Sequence, residues 1–342
     1  MKQSTGIISI HPIVAESEEL EDVSTEVEWR TDTVNVAQHG ERLDRALVDM
    51  VPEFSRSYLQ QLIDLGLVCL NSQPVRKPST RVKAADSVTI ELRPTPQSQA
   101  FKPQNIPLEV VYRDAHILVI NKPAGLVVHP APGNWSGTLL NALLAYDSDI
   151  ALVPRAGIVH RLDKDTSGLM VVARTRAVMD TLIQAIAARD VSRQYLAVAH
   201  GQWSGPNSRT VDAPIGRDPR NRLRMAIVNL ASQSGKMART DFILLDNAEK
   251  GCLVRCILHT GRTHQIRVHM ASLGHPLVAD VTYGGSTVQC MERQALHAVR
   301  LAFVHPVTGE PMVFEAPVPI DIVALMDSWG LRYNPQKRAN GP

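Results

Sequence analysis

The chain has 342 residues, 44% of them hydrophobic, which is length for two or three domains and composition for a sizeable core. Its formal net charge of +2 is uneven: residues 1–41 carry two basic against nine acidic side chains, a balance of −7, which leaves +9 for the rest. No run of 18 apolar residues occurs and no basic-then-apolar leader opens the chain; the four cysteines (Cys69, Cys252, Cys256, Cys290) form no C-x-x-C pair, so no membrane span and free thiols in a reducing cytoplasm are expected.

Residues 1–34 contain the run Glu16-Ser17-Glu18-Glu19-Leu20-Glu21-Asp22 and little apolar periodicity, so they read as a flexible acidic tail. Residues 35–93 read as a small α+β domain. Leu43, Ala46, Leu47 and Met50 recur at helical spacing. Ser55 or Ser57 can cap a second helix whose apolar face is Tyr58, Leu59, Leu62 and Ile63, with Gly66 as its stop. Val68–Leu70 reads as a strand before a turn at Asn71-Ser72, and Val88, Ile90 and Leu92 alternate as a half-buried strand does. Between them runs the basic stretch from Arg76 to Lys83.

Residues 94–106, with Pro94, Pro96 and Pro103, have the composition of a linker. A second domain spans 107–330. Val110–Tyr112 and Ile117–Ile120 read as strands, and residues 157–174 as strand, polar loop, strand. Thr175 can cap a helix with Val178, Leu182, Ile183 and Ile186 on one face, and Arg193–Val198 alternates like a strand. The absence of a regular β-α-β rhythm indicates an α+β fold rather than a doubly wound sheet. Residues 331–342 read as a polar C-terminal tail that frays.

Two stretches concentrate chemistry. The first is His160-Arg161-Leu162-Asp163-Lys164-Asp165-Thr166-Ser167-Gly168, a dense polar loop between apolar runs. Loops held by rigid strands often carry catalytic groups, but spacing does not say which side chains act. The Arg-Leu-Asp triplet recurs at Arg42-Leu43-Asp44, where it opens an amphipathic helix and reads as surface, so the triplet alone decides nothing. The second stretch, Leu258 to Met270, holds His259, His264, His269, Arg262 and Arg267. His264, His269 and His275 lack an H-E-x-x-H spacing and a carboxylate ligand, so no metal is expected, and the arginines suit a polyanion or a carboxylate. Arg209, Arg217, Arg220, Arg222, Arg224, Lys236 and Arg239 make residues 207–240 basic. A basic body suits a nucleic-acid partner. No P-loop, dinucleotide fingerprint or zinc motif is present, so no cofactor is expected.

Gly157 to Val172 resembles the signature of the RluA/RluD-type pseudouridine synthases. Asn121-Lys122-Pro123-Ala124-Gly125, Arg193-Gln194-Tyr195, Ala213-Pro214-Ile215-Gly216-Arg217 and Thr260–Met270 resemble further blocks of that family, in its order, over roughly residues 100–330. Residues 42–92 resemble an S4 RNA-binding domain. The resemblance implies an α+β catalytic fold with a mixed, mainly antiparallel central sheet, and isomerisation of uridine to pseudouridine without a cofactor. It implies Asp163 as the essential aspartate, Arg267 as its basic partner and Tyr195 as the tyrosine that stacks on the base. Arg161 would fill the gap left by the flipped nucleotide, with His160 beside it.

RNA contacts are expected from Arg42, Arg56, Arg76, Lys77, Arg81, Arg217, Arg222 and Arg262. The implied substrate is a stem-loop of large-subunit (23S) ribosomal RNA, free or in ribosomal precursor particles, with the protein acting as a monomer in the cytoplasm. Transfer RNA is the alternative substrate. A non-catalytic RNA-binding or ribosome-assembly protein is the rival from another class, and a glycosidase-like hydrolase the third. Asp163 and Asp165 are too near in sequence for a convincing carboxylate pair of the last kind.

Overall fold

Residues 28–92, 100–131, 133–221, 224–288 and 291–334 are described by the computed structural model, and they separate into two units, one within 28–92 and one within 100–334. The first unit runs β1 (Glu28–Thr33), α1 (Leu43–Met50), α2 (Arg56–Leu65), β2 (Val68–Leu70), β3 (Gln73–Val75) and β4 (Ser87–Leu92). Its strands form an antiparallel sheet in the order β1-β4-β2-β3. The strand β1 corrects the expected tail, which was drawn to residue 34. Most of its side chains are exposed, so no apolar alternation marked it, and backbone pairing to β4 holds it. Residues 1–27 of that expected tail lie outside the described residues.

The helices start and stop where their capping chemistry allows. Ser55 Oγ accepts the Tyr58 N–H, and Gly66 ends α2 in the left-handed region at φ 77°. Leu43, Leu47, Leu59 and Ile63 are buried against Val68, Val88 and Ile90.

The Arg42-Leu43-Asp44 triplet is not a surface feature at its aspartate. Asp44 is fully buried and accepts hydrogen bonds from Arg42 Nε (2.9 Å), Arg56 Nη2 (2.8 Å) and Gln60. The Arg42 hydrogen bond, against the cost of burial and helped by Gln60 and Arg56, holds its carboxyl well below the usual carboxylate range. A depressed carboxyl pKa contributes stability that is present above the ordinary value of about 4 and is lost as pH falls. Hydrogen-exchange protection of the α1 and α2 amides is therefore expected to drop between pH 5 and 3. Asp44→Asn is expected to flatten that dependence and to lower protection at pH 7.

The second unit runs β5 (Glu109–Arg113), β6 (Ile117–Lys122), α3 (Leu139–Tyr146), β7 (Ser167–Ala173), α4 (Arg176–Ala188), β8 (Ser192–His200), β9 (Ser208–Asp212), β10 (Ile215–Arg217), β11 (Met225–Ile227), β12 (Gly235–Lys236), β13 (Arg239–Asn247), β14 (Gly251–Leu258), α5 (Gln265–Ser272), β15 (Leu296–Val304), β16 (Pro311–Glu315) and α6 (Ile320–Trp329). A nine-stranded mixed sheet has the order β5-β6-β7-β15-β8-β14-β13-β9, with β16 also on β15. Among the described residues only β7 and β15 of this sheet pair in parallel; its other pairs are antiparallel. The sheet is covered on both faces. Leu118, Ile120, Met170 and Val172 enter one core, while Ile117, Val119, Leu169 and Val171 enter another. That is why these strands read as unbroken apolar runs. The basic stretch 207–240 supplies β9 and a small separate sheet in the order β11-β10-β12.

Four expectations for this unit need correction. Residues 100–106 are not a free linker: Ala100 is buried, and Asn141 Nδ2 donates to the carbonyls of Ala100 and Lys102. The apolar run before the polar loop is not a strand, because only one bridge, Ile158 to Val172, forms there. Ile183 on α4 is exposed rather than in the core. Leu331 is buried and its N–H donates to Met326 O, so the chain does not fray directly after α6. Among the described residues no helix is long and apolar enough to cross a membrane.

Candidate active site

The loop 158–166 is suspended between two close backbone contacts that only glycine permits. At Gly157 (φ 71°) a Cβ would fall 1.8 Å from Ala173 O; at Gly168 (φ 118°) it would fall 2.3 Å from Ala298 O, where β7 crosses onto β15. Side chains from elsewhere in the unit then tether the loop. Lys122 Nζ donates to the carbonyls of Pro123 (2.8 Å), Leu126 (2.9 Å) and Lys164 (2.9 Å). Arg293 Nη1 donates to Asp165 O, and Gln294 Nε2 to Thr166 Oγ1. Lys122 does more than shape its own turn. Burial draws its pKa down to about 7, opposed by Asp165 and Asp163, yet three carbonyl acceptors match the three N–H groups of an ammonium, so the cage fits the charged form.

This loop presents Asp163 to a cleft of about 660 Å³ that Arg267, Tyr195, His160, Arg161 and Arg262 also line. Arg267 comes from α5, whose start is pinned by Gln265: its Nε2 donates to Arg239 O and Thr240 Oγ1, and its Oε1 accepts from Thr260 and Arg262. Arg267 Nη1 lies 3.1 Å from Asp163 Oδ2. Its Nε and Nη2 form a bidentate pair with Asp280 at 2.7 and 2.8 Å. Burial opposes the Arg267 charge, but the hydrogen bonds and charge of Asp280, with Asp163, more than offset it and raise its pKa. The guanidinium also lies over the Tyr283 ring, 5.0 Å from its centre. The Tyr283 hydroxyl accepts the Met225 N–H and bridges to His264 Nδ1 at 2.8 Å.

Tyr195 stands on β8, 5% exposed, and burial pushes its phenol up to about 12, with Asp163 adding and Arg193 opposing. Arg161 is exposed in the cleft. His160, grouped with it by the sequence reading, is tied down instead: its Nε2 accepts the Val171 N–H at 3.1 Å. Burial, with Arg193 nearby, lowers its pKa to about 3. A histidine depressed in this way contributes stability that is complete above about 6.5 and declines as pH falls toward 3. NMR of the His160 ring is expected to show no titration between pH 5 and 8.

The three histidines weighed as metal ligands point to separate partners. His264 meets Tyr283, His269 meets Thr240 Oγ1 and Ala213 O, and His275 meets His200 O while stacking on Trp203. Asp165 turns out to be held through its carbonyl, by Arg293. Among the other basic residues singled out, Arg42 and Arg56 hold Asp44, while Arg76, Lys77, Arg81 and Arg217 are exposed. Arg262 lines the cleft with its Nε donating to Met237 O. Arg222 lies outside the described residues.

Four residues of the site have contacts that the sequence did not reveal. Asp280 follows α5 in a loop with no motif, and its only signal is that a buried guanidinium needs more acceptors than Asp163 provides. Tyr283 and His264 are 19 residues apart and meet only through the fold. Arg193 was noted only as part of a block; it is 5% exposed, lines the cleft, and its Nε is buried without a hydrogen-bond partner.

Residues 116–272 match the RNA pseudouridylate synthase family and residues 41–88 the S4 domain. A Ribosomal large subunit pseudouridine synthase D of Neisseria meningitidis serogroup B is 46% identical over 305 residues, covering 86% of this chain and 80% of that protein. The protein of the same name from Escherichia coli K12 is 44% identical over 310 residues, covering 87% and 93%. The solved structure of Human RNA Pseudouridylate Synthase Domain Containing 4 shares the fold at 23% identity, with a TM-score of 0.52 over 66% of this chain and 94% of that one. The chain belongs to the RNA pseudouridylate synthase family, and it is an RNA pseudouridine synthase with an S4 domain ahead of its catalytic α+β unit.

Proposed function

We propose that this enzyme isomerises uridines in stem-loops of large-subunit ribosomal RNA, with Asp163 acting on the ribose of a flipped nucleotide. The observation that carries the reading is the Asp163–Arg267–Asp280 chain, which delivers one carboxylate to a basic cleft. The basic residues along the RNA path supply sequence-independent affinity for phosphates. Extruding a paired base costs a few kcal/mol, and Arg161, exposed beside Asp163, occupies the gap. Tyr195 stays a neutral phenol at working pH and serves as the surface on which uracil rests.

The reaction balances without a cofactor. The C1′–N1 bond breaks with its electron pair on uracil, after Asp163 attacks C1′ or removes the 2′ proton. The ring turns and C5 bonds to C1′, displacing the Asp163 ester in the first case or with Asp163 returning its proton to C2′ in the second; the C5 proton then leaves and N1 takes one up. Arg267 fixes the carboxylate's direction throughout, and such positioning is a large share of what a rigid site contributes.

Transcripts carrying tritium at uracil C5 test this reading. Release to water from large-subunit ribosomal RNA, with pseudouridine as the product, is expected. Release from transfer RNA alone would reject the substrate assignment, and free uracil would indicate hydrolysis. We further infer that the enzyme works as a monomer in the cytoplasm on RNA or on ribosomal precursor particles; rates on naked and particle-bound RNA, compared at equal concentration, separate those two forms of substrate.

A further inference from the structure

Arg193 stands on β8 two residues before Tyr195, so both side chains leave the same face of the sheet about 7 Å apart. Both line the cleft. Among the described residues the Arg193 guanidinium has no ion-pair partner, and its Nε is buried with no hydrogen bond. The groups that feel its charge most, Tyr195 and His160, have pKa values near 12 and 3 and are both neutral at working pH. The cleft carboxylate, Asp163, is already engaged by Arg267. Gly261 closes over the guanidinium so tightly that a Cβ there would lie 2.9 Å from Nη1. Burial without a counter-charge lowers the Arg193 pKa.

An uncompensated buried cation weakens a fold, and replacing it with an uncharged group relieves the penalty. A structural arginine would bring its own carboxylate, as Arg267 does. A planar guanidinium with vacant donors fits the two free oxygens of a phosphodiester, the anionic group that RNA carries. We propose that Arg193 binds a phosphate attached to the target nucleotide and thereby seats its ribose against Asp163, an inference that rests on the synthase reading above. Its separation from Tyr195 is short enough for one nucleotide to reach both, base on the tyrosine and phosphate on the arginine. Arg193 is then a positioning residue whose contact forms only once the nucleotide has flipped.

The test is a single-turnover cycle on a large-subunit stem-loop that the wild-type enzyme modifies. The RNA is made unmodified, or with one neutral methylphosphonate on the 5′ or the 3′ side of the target uridine. Arg193→Gln is expected to slow tritium release at saturating RNA about 30-fold or more. A methylphosphonate on one side should slow wild type by a similar factor yet slow Arg193→Gln no further, because the two changes remove one contact. Arg193→Lys should recover part of the rate. Without RNA, Arg193→Gln and Arg193→Met should melt at or above the wild-type temperature, which a structural role would not allow. Wild-type rates in Arg193→Gln, additive losses on both sides of the uridine, or variants melting several degrees lower would each overturn the assignment. If the wild type itself releases no tritium from any RNA, the synthase reading fails first and this assignment falls with it.

Discussion

Asp163→Asn is expected to cut tritium release by on the order of 10⁴-fold, the scale on which a residue that itself reacts is missed. The fold should tolerate the change. Asp163 is partly exposed, with 17% of its side chain open, and the amide keeps an oxygen that can accept from Arg267. Arg267 also keeps its bidentate pair with Asp280. The melting temperature should therefore stay within a few degrees of wild type. RNA affinity should be equal or slightly tighter, since one negative charge leaves a cleft lined by arginines. Single-turnover release and filter binding measure the two quantities. A variant that retains most of its rate would remove Asp163 from the mechanism, and one that loses binding together with rate would make it an RNA-contact residue.

Asp280→Ala should show the opposite balance, with a stability loss at least as prominent as the loss of rate. Asp280 is 2% exposed, and it alone gives Arg267 two hydrogen bonds. Its removal leaves the buried guanidinium leaning on Asp163. Breaking a buried ion pair at one end costs about 3–5 kcal/mol. For a unit of this size that corresponds to a fall in melting temperature of roughly 6–20 °C. The rate should fall too, because the guanidinium then follows Asp163 rather than directing it. Calorimetry beside single-turnover kinetics at a temperature where the variant is folded separates the two effects. Asp280→Asn, which keeps the shape and some of the hydrogen bonding, should lie between. A stable, fully active Asp280→Ala would mean that Arg267 needs no second anchor.

The contrast between these variants reflects how much of the site is visible along the chain. Asp163 is prominent in a dense polar loop, and its relation to Tyr195 and Arg267 was legible through a family resemblance that spans several separated blocks. Composition and spacing did not separate it from Asp165 or from the copy of its triplet at Asp44. Tertiary contacts did, since Asp165 presents its carbonyl to Arg293 and Asp44 is sealed beneath two arginines in another unit. The helices of the first unit were readable because capping and 3.6-residue periodicity are local. The strand β1 was not, because its side chains face water and what holds it is a backbone ladder to residues nearly 60 positions away.

The amino-acid sequence by itself determined the family, the α+β class and the S4 module, since these depend on local periodicity and on motifs that occur in one order. Only the tertiary structure decided which charges are paired. Asp280 closes on Arg267, Lys122 clasps the carbonyl beside Asp163, His160 is spent on a backbone N–H, and Arg193 is left buried without an anion. The reason is physical: the worth of a charge depends on its burial and on neighbours within a few ångströms, and neither is a property of position along the chain.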